Sequence, residues 1–245
     1  MLRVFCNGDV FGAMSSTSER PTVLALHGWA RDHTDFDAVL AGLDGLAVDL
    51  PGFGASPPPP EAWGAEDYAG ALAGLFDTMG PRVVVVGHSF GGGVAVHLAH
   101  AHPDRIAALV LTGTPRLARV DLPRPKPKLG YRLGRGLHRL GVVNDEAMER
   151  MRKRYGSADY ATATGVMREV NVKAVNELHE DVVRSLACPV ELVWGDDDTA
   201  APLVVAQRAA ELLAHSRLTV VPGGGHMTPF TATSELRDAI SRHLP

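Results

Sequence analysis

The sequence of 245 residues has few cysteines, no long apolar segment and little net charge. Its two cysteines, Cys6 and Cys188, cannot make a disulfide framework, so we expect free thiols in a reducing compartment. No apolar run approaches the length that a membrane-spanning helix needs. Asn7, Gly8 and Asp9 interrupt the first apolar stretch, which therefore does not resemble a secretion signal. These absences predict a soluble, cytoplasmic protein.

The charge balance argues against a nucleic-acid partner. With 24 basic and 28 acidic residues, the net charge is −4, so the chain has no overall basic character. A short Pro-rich stretch over residues 116–128 is the exception, and its basic residues are Arg116, Arg119, Arg124, Lys126 and Lys128. We interpret this stretch as a solvated connector, and a surface for membranes or anionic ligands is the alternative.

We expect a monomer or a homodimer that acts on a small molecule.

Short apolar runs alternate with stretches of helical spacing. Residues 2–6 and 10–14 flank Asn7-Gly8, a pair that favours a tight hairpin turn. The further predicted strands are 22–26, 45–50, 82–86, 106–111, 190–194 and 218–221, and the predicted helices are 35–43, 67–79, 92–102, 202–213 and 234–243. Runs that are apolar on both faces, such as VVVV before residue 87, suit a parallel sheet covered by helices. The sequence therefore predicts an α/β fold with a mostly parallel, doubly wound sheet.

Residues 114–185 break this alternation. The first part is rich in proline, arginine and glycine, and the part from residue 145 onward has a polar, helical pattern. Because the segment lies between two predicted strands, we interpret it as an inserted helical lid. Residues 1–113 and 186–245 then form one α/β core.

The segment Gly87-His88-Ser89-Phe90-Gly91 matches the G-x-S-x-G pattern of a nucleophile elbow. An apolar strand is predicted before it and a helix after it, as this sharp turn requires. The Ser89 hydroxyl would then project from the carboxyl edge of the sheet, where open α/β sheets bind ligands. Taken alone, the pattern also fits a glycine-rich turn before a helix.

His226 is the candidate general base. A serine hydroxyl is a poor nucleophile without an adjacent base, and that base needs a third group to hold its tautomer. Of the eleven histidines, His226 alone follows a predicted strand through a glycine loop, which lets its imidazole reach Ser89. His97, His100 and His102 lie on the helix after the serine, but their spacing does not place them on one helical face. We therefore expect no metal site among these three.

Three aspartates, residues 196–198, follow the predicted strand 190–194 and supply the candidate acid. They lie at the same edge of the sheet as Ser89, and the chain order serine, acid, histidine is the order that this fold uses. A solvated turn is the alternative for two of them. A calcium loop would need alternating oxygen ligands over about twelve residues, and Ala200, Ala201 and Pro202 end the run.

Two backbone amides are candidates for stabilising a developing oxyanion. One is the N–H of Phe90, which immediately follows the nucleophile. The other is the N–H of Trp29 in the loop His27-Gly28-Trp29, where Gly28 permits close backbone approach. Both residues are also candidate substrate contacts, and a place in the core is the alternative for the Trp29 ring.

Together, these motifs resemble the α/β-hydrolase superfamily. They are HGW at 27–29, DLPGFGAS at 49–56, GHSFGG at 87–92, WGDDD at 194–198 and GGGH at 223–226. The resemblance covers nearly the whole chain outside 114–185. It implies Asp198 as the acid, because the family acid is the third residue after the glycine of a W-G-x-x-D pattern. It also implies that the segment 114–185 lines the substrate pocket as a lid.

Two departures narrow the implied reaction. The chain lacks the HGGG motif of the lipase-type esterases, and its nucleophile is not the aspartate of haloalkane dehalogenases and epoxide hydrolases. We predict a serine carboxylesterase that needs neither cofactor nor metal and forms an acyl-enzyme on Ser89 with small to medium esters. A lactonase, a C–C bond hydrolase and a hydroxynitrile lyase are alternatives with the same residues. A cofactor-free oxygenase, indicated by Asp32-His33 after HGW, and a non-catalytic ligand receptor are the remaining alternatives.

Overall fold

The computed structural model describes residues 3–14, 19–121, 129–155 and 158–244. Within these ranges one sheet contains eight strands, which are β1 (Arg3–Asn7), β2 (Val10–Met14), β3 (Val23–Leu26), β4 (Gly45–Asp49), β5 (Val83–His88), β6 (Ile106–Thr112), β7 (Val190–Gly195) and β8 (Ser216–Val221). Their order is β1-β2-β4-β3-β5-β6-β7-β8. β2 pairs antiparallel with β1 and β4, and all other neighbours are parallel. The predicted hairpin and the mostly parallel sheet are both confirmed.

Helices connect the parallel strands. They are α1 (Asp37–Leu40), α2 (Ala65–Leu72), α3 (Phe90–Ala101), α4 (Leu129–Arg139), α5 (Asp145–Tyr155), α6 (Ala158–Thr162), α7 (Val166–Asn176), α8 (Glu180–Arg184), α9 (Leu203–Leu212), α10 (Thr228–Thr231) and α11 (Thr233–Ser241). Short 3₁₀ helices cover His33–Phe36, Ala73–Thr78 and Pro103–Arg105. Among the described residues, no helix combines the length and the apolar composition needed to cross a membrane.

The sheet separates two apolar layers, which explains why its central strands are apolar on both faces. Val84 and Val86 of β5 belong to a layer that includes buried residues of α1 and α11. Val83 and Val85 belong to the opposite layer, which includes buried residues of α2, α3 and α9. All four valines are buried. This two-sided cover confirms the predicted doubly wound α/β fold.

Two predicted helices differ from those in the structure. The predicted helix 35–43 is a 3₁₀ turn followed by the short α1, and the predicted helix 67–79 ends as α2 at Leu72 and continues as 3₁₀. Gly70 and Gly74 lie in this second stretch, and each glycine costs about 1 kcal/mol of helix stability relative to alanine. Apolar spacing alone does not distinguish the two kinds of helix, since both bury residues at intervals of three.

Helices α4 to α8 lie between β6 and β7, in the segment that we predict to be a lid. Met167 of α7 contacts the loop after β4 at Gly52. The contact is so close that a Cβ on Gly52 would overlap the sulfur of Met167. The domain boundaries and the lid itself stay predictions.

The basic residues Arg124, Lys126 and Lys128 lie outside the described residues, as does the thiol of Cys6, whereas Cys188 is a free, half-buried cysteine.

Candidate active site

Ser89 occupies a strained turn between β5 and α3. Its φ of 51° and ψ of −116° lie in a backbone region that residues other than glycine rarely adopt, at a cost of about 1–3 kcal/mol. The Ser89 amide donates a hydrogen bond of 2.9 Å to the carbonyl of Thr112, and the Gly91 amide donates one of 3.1 Å to the carbonyl of His27. A Cβ on Gly91 would overlap the carbonyl oxygen of Leu26. Contacts with the ends of both neighbouring strands therefore hold the turn in this conformation.

Ser89, His226 and Asp198 form a continuous chain of hydrogen bonds. The Nε2 atom of His226 lies 3.1 Å from Oγ of Ser89, and its Nδ1 atom lies 2.8 Å from Oδ2 of Asp198. A carboxylate can only accept, so Nδ1 carries the proton and Nε2 is left to accept from the serine hydroxyl. The His226 side chain keeps 27% of its surface exposed, whereas the Asp198 side chain is fully buried. The imidazole is thus open to a substrate on the serine side and fixed on the other.

The three neighbouring aspartates have different surroundings. Both oxygens of Asp198 are occupied, since Oδ1 accepts from the amides of Ala200 and Ala201 at 2.9 and 2.8 Å. Asp196 accepts from the amide of Gly223 at 2.7 Å and so supports the glycine loop before the histidine. Asp197 is exposed. Of the three, Asp198 is the carboxylate that meets the imidazole.

Gly113 borders this chain of hydrogen bonds, and sequence reasoning did not identify it. It directly follows β6 and has a φ of +54°, and a Cβ there would lie 3.1 Å from Nδ1 of His226 and 3.4 Å from Oδ2 of Asp198. A side chain at this position would press on the contact between these two groups. The signal was a glycine directly after a buried strand at the same edge of the sheet as Ser89.

The loop that carries Trp29 packs directly on the serine. A Cβ on Gly28 would lie 3.3 Å from Cβ of Ser89 and 2.9 Å from Nδ1 of His88. Within the described part of the chain, the amides of Trp29 and Phe90 donate to no carbonyl. Both amides are therefore available to an oxygen bound beside Ser89.

His27 fixes the conformation of the same loop. Its Nδ1 atom donates to the carbonyl of Gly28 at 2.7 Å, and its Nε2 atom accepts from the amide of Leu50 at 3.0 Å. Burial lowers the pKa of this imidazole, which is consistent with a neutral ring that donates at one nitrogen and accepts at the other. The histidine of HGW thus ties the loop after β3 to the end of β4.

Aromatic rings form an apolar wall beside the two amides. The Trp29 ring lies 4.9 Å from the ring of Phe53 and 5.5 Å from that of Phe90, with both pairs edge to face. The ring of Tyr68 also packs edge to face with that of Phe90, with the ring centroids 5.0 Å apart. Trp29 and Phe90 are half-buried, so their rings contribute both to the core and to the surface near Ser89. Phe53 and Tyr68 were not among the predicted site residues.

His88 is hydrogen-bonded to the backbone of His226, the candidate general base. It is buried, and its Nε2 atom donates to the backbone carbonyl of His226 at 2.9 Å. Its Nδ1 atom has no hydrogen-bond partner among the described residues. Burial, and to a smaller degree electrostatic repulsion between its protonated form and the imidazole of His226, lowers the pKa of His88 to about 4. His88 is therefore neutral near pH 7.

Asp32 and His33, which the sequence associates with oxygenase chemistry, have local partners. Asp49 accepts from the amide and from Nδ1 of His33, at 2.8 and 2.7 Å, and its other oxygen accepts from the amide of Ala55 at 2.9 Å. Asp32 caps the 3₁₀ turn by accepting from the amide of Thr34 at 2.9 Å. These contacts shape the loops around the site, and among the described residues the Ser89 hydroxyl has His226 as its hydrogen-bond partner.

Comparison with known proteins agrees with this architecture. Residues 23–239 match a family model described as the alpha/beta hydrolase family. A 2-hydroxy-6-oxononadienedioate/2-hydroxy-6-oxononatrienedioate hydrolase of Cupriavidus pinatubonensis is 30% identical, over 91% of this chain and 84% of its own length. A pimeloyl-[acyl-carrier protein] methyl ester esterase of Chromobacterium violaceum is 28% identical, over 94% of this chain and 97% of its own. The solved structure of a thermophilic esterase has a TM-score of 0.70 at 24% identity, covering 99% of this chain and 97% of that one.

Proposed function

We propose that this chain, which belongs to the alpha/beta hydrolase family, is a serine carboxylesterase that cleaves small to medium esters. Ser89 is the nucleophile, His226 the general base and Asp198 the acid that orients the histidine. The observation that carries this proposal is the unbroken hydrogen-bond chain from Asp198 through His226 to Ser89, at 2.8 and 3.1 Å. Such a chain activates a hydroxyl for acyl transfer.

The reaction proceeds in two halves through an acyl-enzyme. Ser89 attacks the ester carbonyl while His226 takes the hydroxyl proton, and the imidazolium then passes this proton to the leaving alcohol. Water, deprotonated by His226, attacks the acyl-serine and releases the carboxylic acid. Asp198 stays ionised throughout and stabilises the imidazolium.

The amides of Trp29 and Phe90 donate to the oxyanion of each tetrahedral intermediate. Each preorganised donor of this kind contributes about 3–4 kcal/mol to lowering the barrier. The rings of the same two residues offer apolar contact to the acyl or alcohol group. Residues 114–185 cover this surface as a lid, an assignment supported by the contact of Met167 with the loop at Gly52.

The first test is the release of p-nitrophenol from acetyl, butyryl and octanoyl esters by the wild type and by Ser89→Ala. We expect turnover by the wild type and a loss of several orders of magnitude in the variant. A matched control is Ser185→Ala, because this exposed serine bonds to His100 and Val182 and has no contact with Ser89. A folded wild type without activity on any of these esters would contradict the proposal.

Cleavage of a C–C bond is the second candidate, and the Cupriavidus relative is the observation that favours it. That relative is named 2-hydroxy-6-oxononadienedioate/2-hydroxy-6-oxononatrienedioate hydrolase. The candidate predicts turnover of a 2-hydroxy-6-oxo dienoate at a kcat/KM well above that of any p-nitrophenyl ester. Both substrates should be assayed on the same preparation, so that the ratio of the two values decides between the reactions.

A further inference from the structure

We propose that His97, Glu177 and His179 form a binding site for one zinc ion, outside the ester-cleaving residues. His97 lies on α3, and the other two lie in the connection between α7 and α8. The ligating atoms of all three side chains lie within 4.8 Å of one another. The site therefore joins the helix that begins after Ser89 to the end of the predicted lid segment.

The distance between the two imidazoles fits a shared metal. Nε2 of His97 lies 3.3 Å from Nδ1 of His179, with the ring planes at 81°. Two nitrogens bound to one tetrahedral zinc at about 2.0–2.1 Å lie about 3.4 Å apart. A hydrogen bond between the rings also explains this pair, so what distinguishes a metal site here is the third donor, the carboxylate of Glu177. Glu177 holds the amide of Ala65 through Oε2 at 3.0 Å and has a second oxygen to offer.

The two ligands in the connection are held in place by other contacts. The amide of His179 donates to the carbonyl of Arg116 at 2.9 Å, and Nε of Arg116 donates to the carbonyl of Glu177 at 3.1 Å. A Cβ on Gly93 would lie 2.7 Å from Nε2 of His179, so this glycine leaves room for the ring. The His179 side chain is buried, and its orientation is consequently fixed.

Two imidazoles and a carboxylate are a donor set suited to zinc, whereas magnesium and calcium prefer oxygen ligands. His97 and Glu177 are half-buried, which leaves a path for the ion and a fourth position for water. His97 is eight residues beyond Ser89, about 12 Å along the helix axis. We therefore assign the ion a stabilising role, as a clamp between α3 and the connection.

This assignment departs from the sequence-based expectation of no metal. That expectation rested on His97, His100 and His102, which do not share one helical face. The structure brings His97 to a partner 82 residues away in sequence instead. Spacing along one helix cannot reveal such a pair.

Zinc chloride, titrated against a chromophoric chelator into untagged, EDTA-treated protein, provides the test. We expect one equivalent to bind with a Kd below about 1 µM, and a hundredfold excess over Kd to raise the melting temperature by about 5–10 °C. His97→Gln should weaken binding about 100-fold. His100→Gln is the matched control on the same helix, since His100 bonds to Ser185 and not to this cluster; it should bind zinc as the wild type does.

Two results would overturn the proposal. One is a folded wild type that binds no stoichiometric zinc, and the other is His97→Gln binding zinc as tightly as the wild type. If circular dichroism shows that His97→Gln is unfolded, Glu177→Gln replaces it, with the same weakening expected. None of these measurements depends on ester cleavage, so the zinc site and the proposed function can fail separately.

Discussion

At the scale of single residues, the aspartates 196–198 show how surroundings assign different roles to identical side chains. Asp198 is buried, and it binds the imidazole of His226 together with two backbone amides. Asp196 binds one amide of the glycine loop, and Asp197 is exposed. Removal of charge should therefore affect the reaction at one of these positions far more than at its neighbours.

Asp198→Asn should lower kcat/KM for the preferred ester by about 10⁴-fold, because an amide in place of the carboxylate stabilises the wrong tautomer of His226. Asp196→Asn should stay within about tenfold of the wild type, since it weakens one hydrogen bond to a backbone amide. Steady-state kinetics of the two variants, measured side by side, checks this prediction. Equal losses in both would mean that the carboxylates act only by shaping the loop.

His88 should make the free energy of unfolding depend on pH. Its pKa is about 4 in the folded protein and about 6.5 in the unfolded chain. Between about pH 6.5 and 4 the unfolded chain therefore binds a proton at His88 that the folded protein does not bind. Stability is thus lost as the pH falls from about 6.5 to 4, by about 2–3 kcal/mol for this group. The loss levels off below pH 4, where both states are protonated.

The His88 contribution is measured by urea unfolding at pH 7 and pH 4.5. The difference in unfolding free energy between the two pH values should be about 2–3 kcal/mol smaller in His88→Gln than in the wild type. His215→Gln, at an exposed histidine, is the control and should behave as the wild type. An unchanged pH dependence in His88→Gln would show that folding does not lower the pKa of His88.

At the scale of elements, the residue that follows β6 borders the candidate site, as does the residue that follows β5. Gly113 has a positive φ and faces the contact between His226 and Asp198. Gly113→Ala should therefore combine backbone strain of about 1 kcal/mol with displacement of the imidazole, and kcat should fall about 100-fold. Gly42→Ala isolates the strain, because its φ is +76° and a Cβ there meets nothing within 4 Å.

Thermal unfolding and ester kinetics of both glycine variants separate these two effects. We expect similar stability losses from backbone strain in the two variants, with any greater loss in Gly113→Ala arising from its contacts, and full activity in Gly42→Ala alone. If Gly113→Ala retains wild-type kcat, the loop carrying His226 accommodates the methyl group and Gly113 has no role in positioning.

Strand–helix alternation was enough to predict the parallel sheet and to place Ser89, Trp29, His226 and the aspartates at one edge. What it could not predict depends on contacts between distant parts of the chain. Gly113, Phe53 and His88 acquire their surroundings only when neighbouring strands and loops meet. The 3₁₀ segments were also missed, since helical spacing is nearly the same for both kinds of helix.

At the scale of the whole molecule, parallel pairing is what assembles the candidate site. The relevant loops follow β3, β5, β7 and β8, whose carboxyl ends share one edge because these strands run in the same direction. Two apolar layers pack against the two faces of this sheet. Cytoplasmic localisation and a monomeric or homodimeric state stay predictions.

The central claim is that Ser89 becomes acylated during turnover, and trapping that intermediate tests it most directly. Wild-type protein should be mixed with p-nitrophenyl butyrate, quenched in acid within the first turnover and digested for mass spectrometry. We predict a butyryl group on the peptide that contains Ser89, absent from Ser89→Ala, together with a burst of p-nitrophenol equal to the enzyme concentration. Steady turnover without a burst or an adduct, or the same adduct at another residue, would contradict the account.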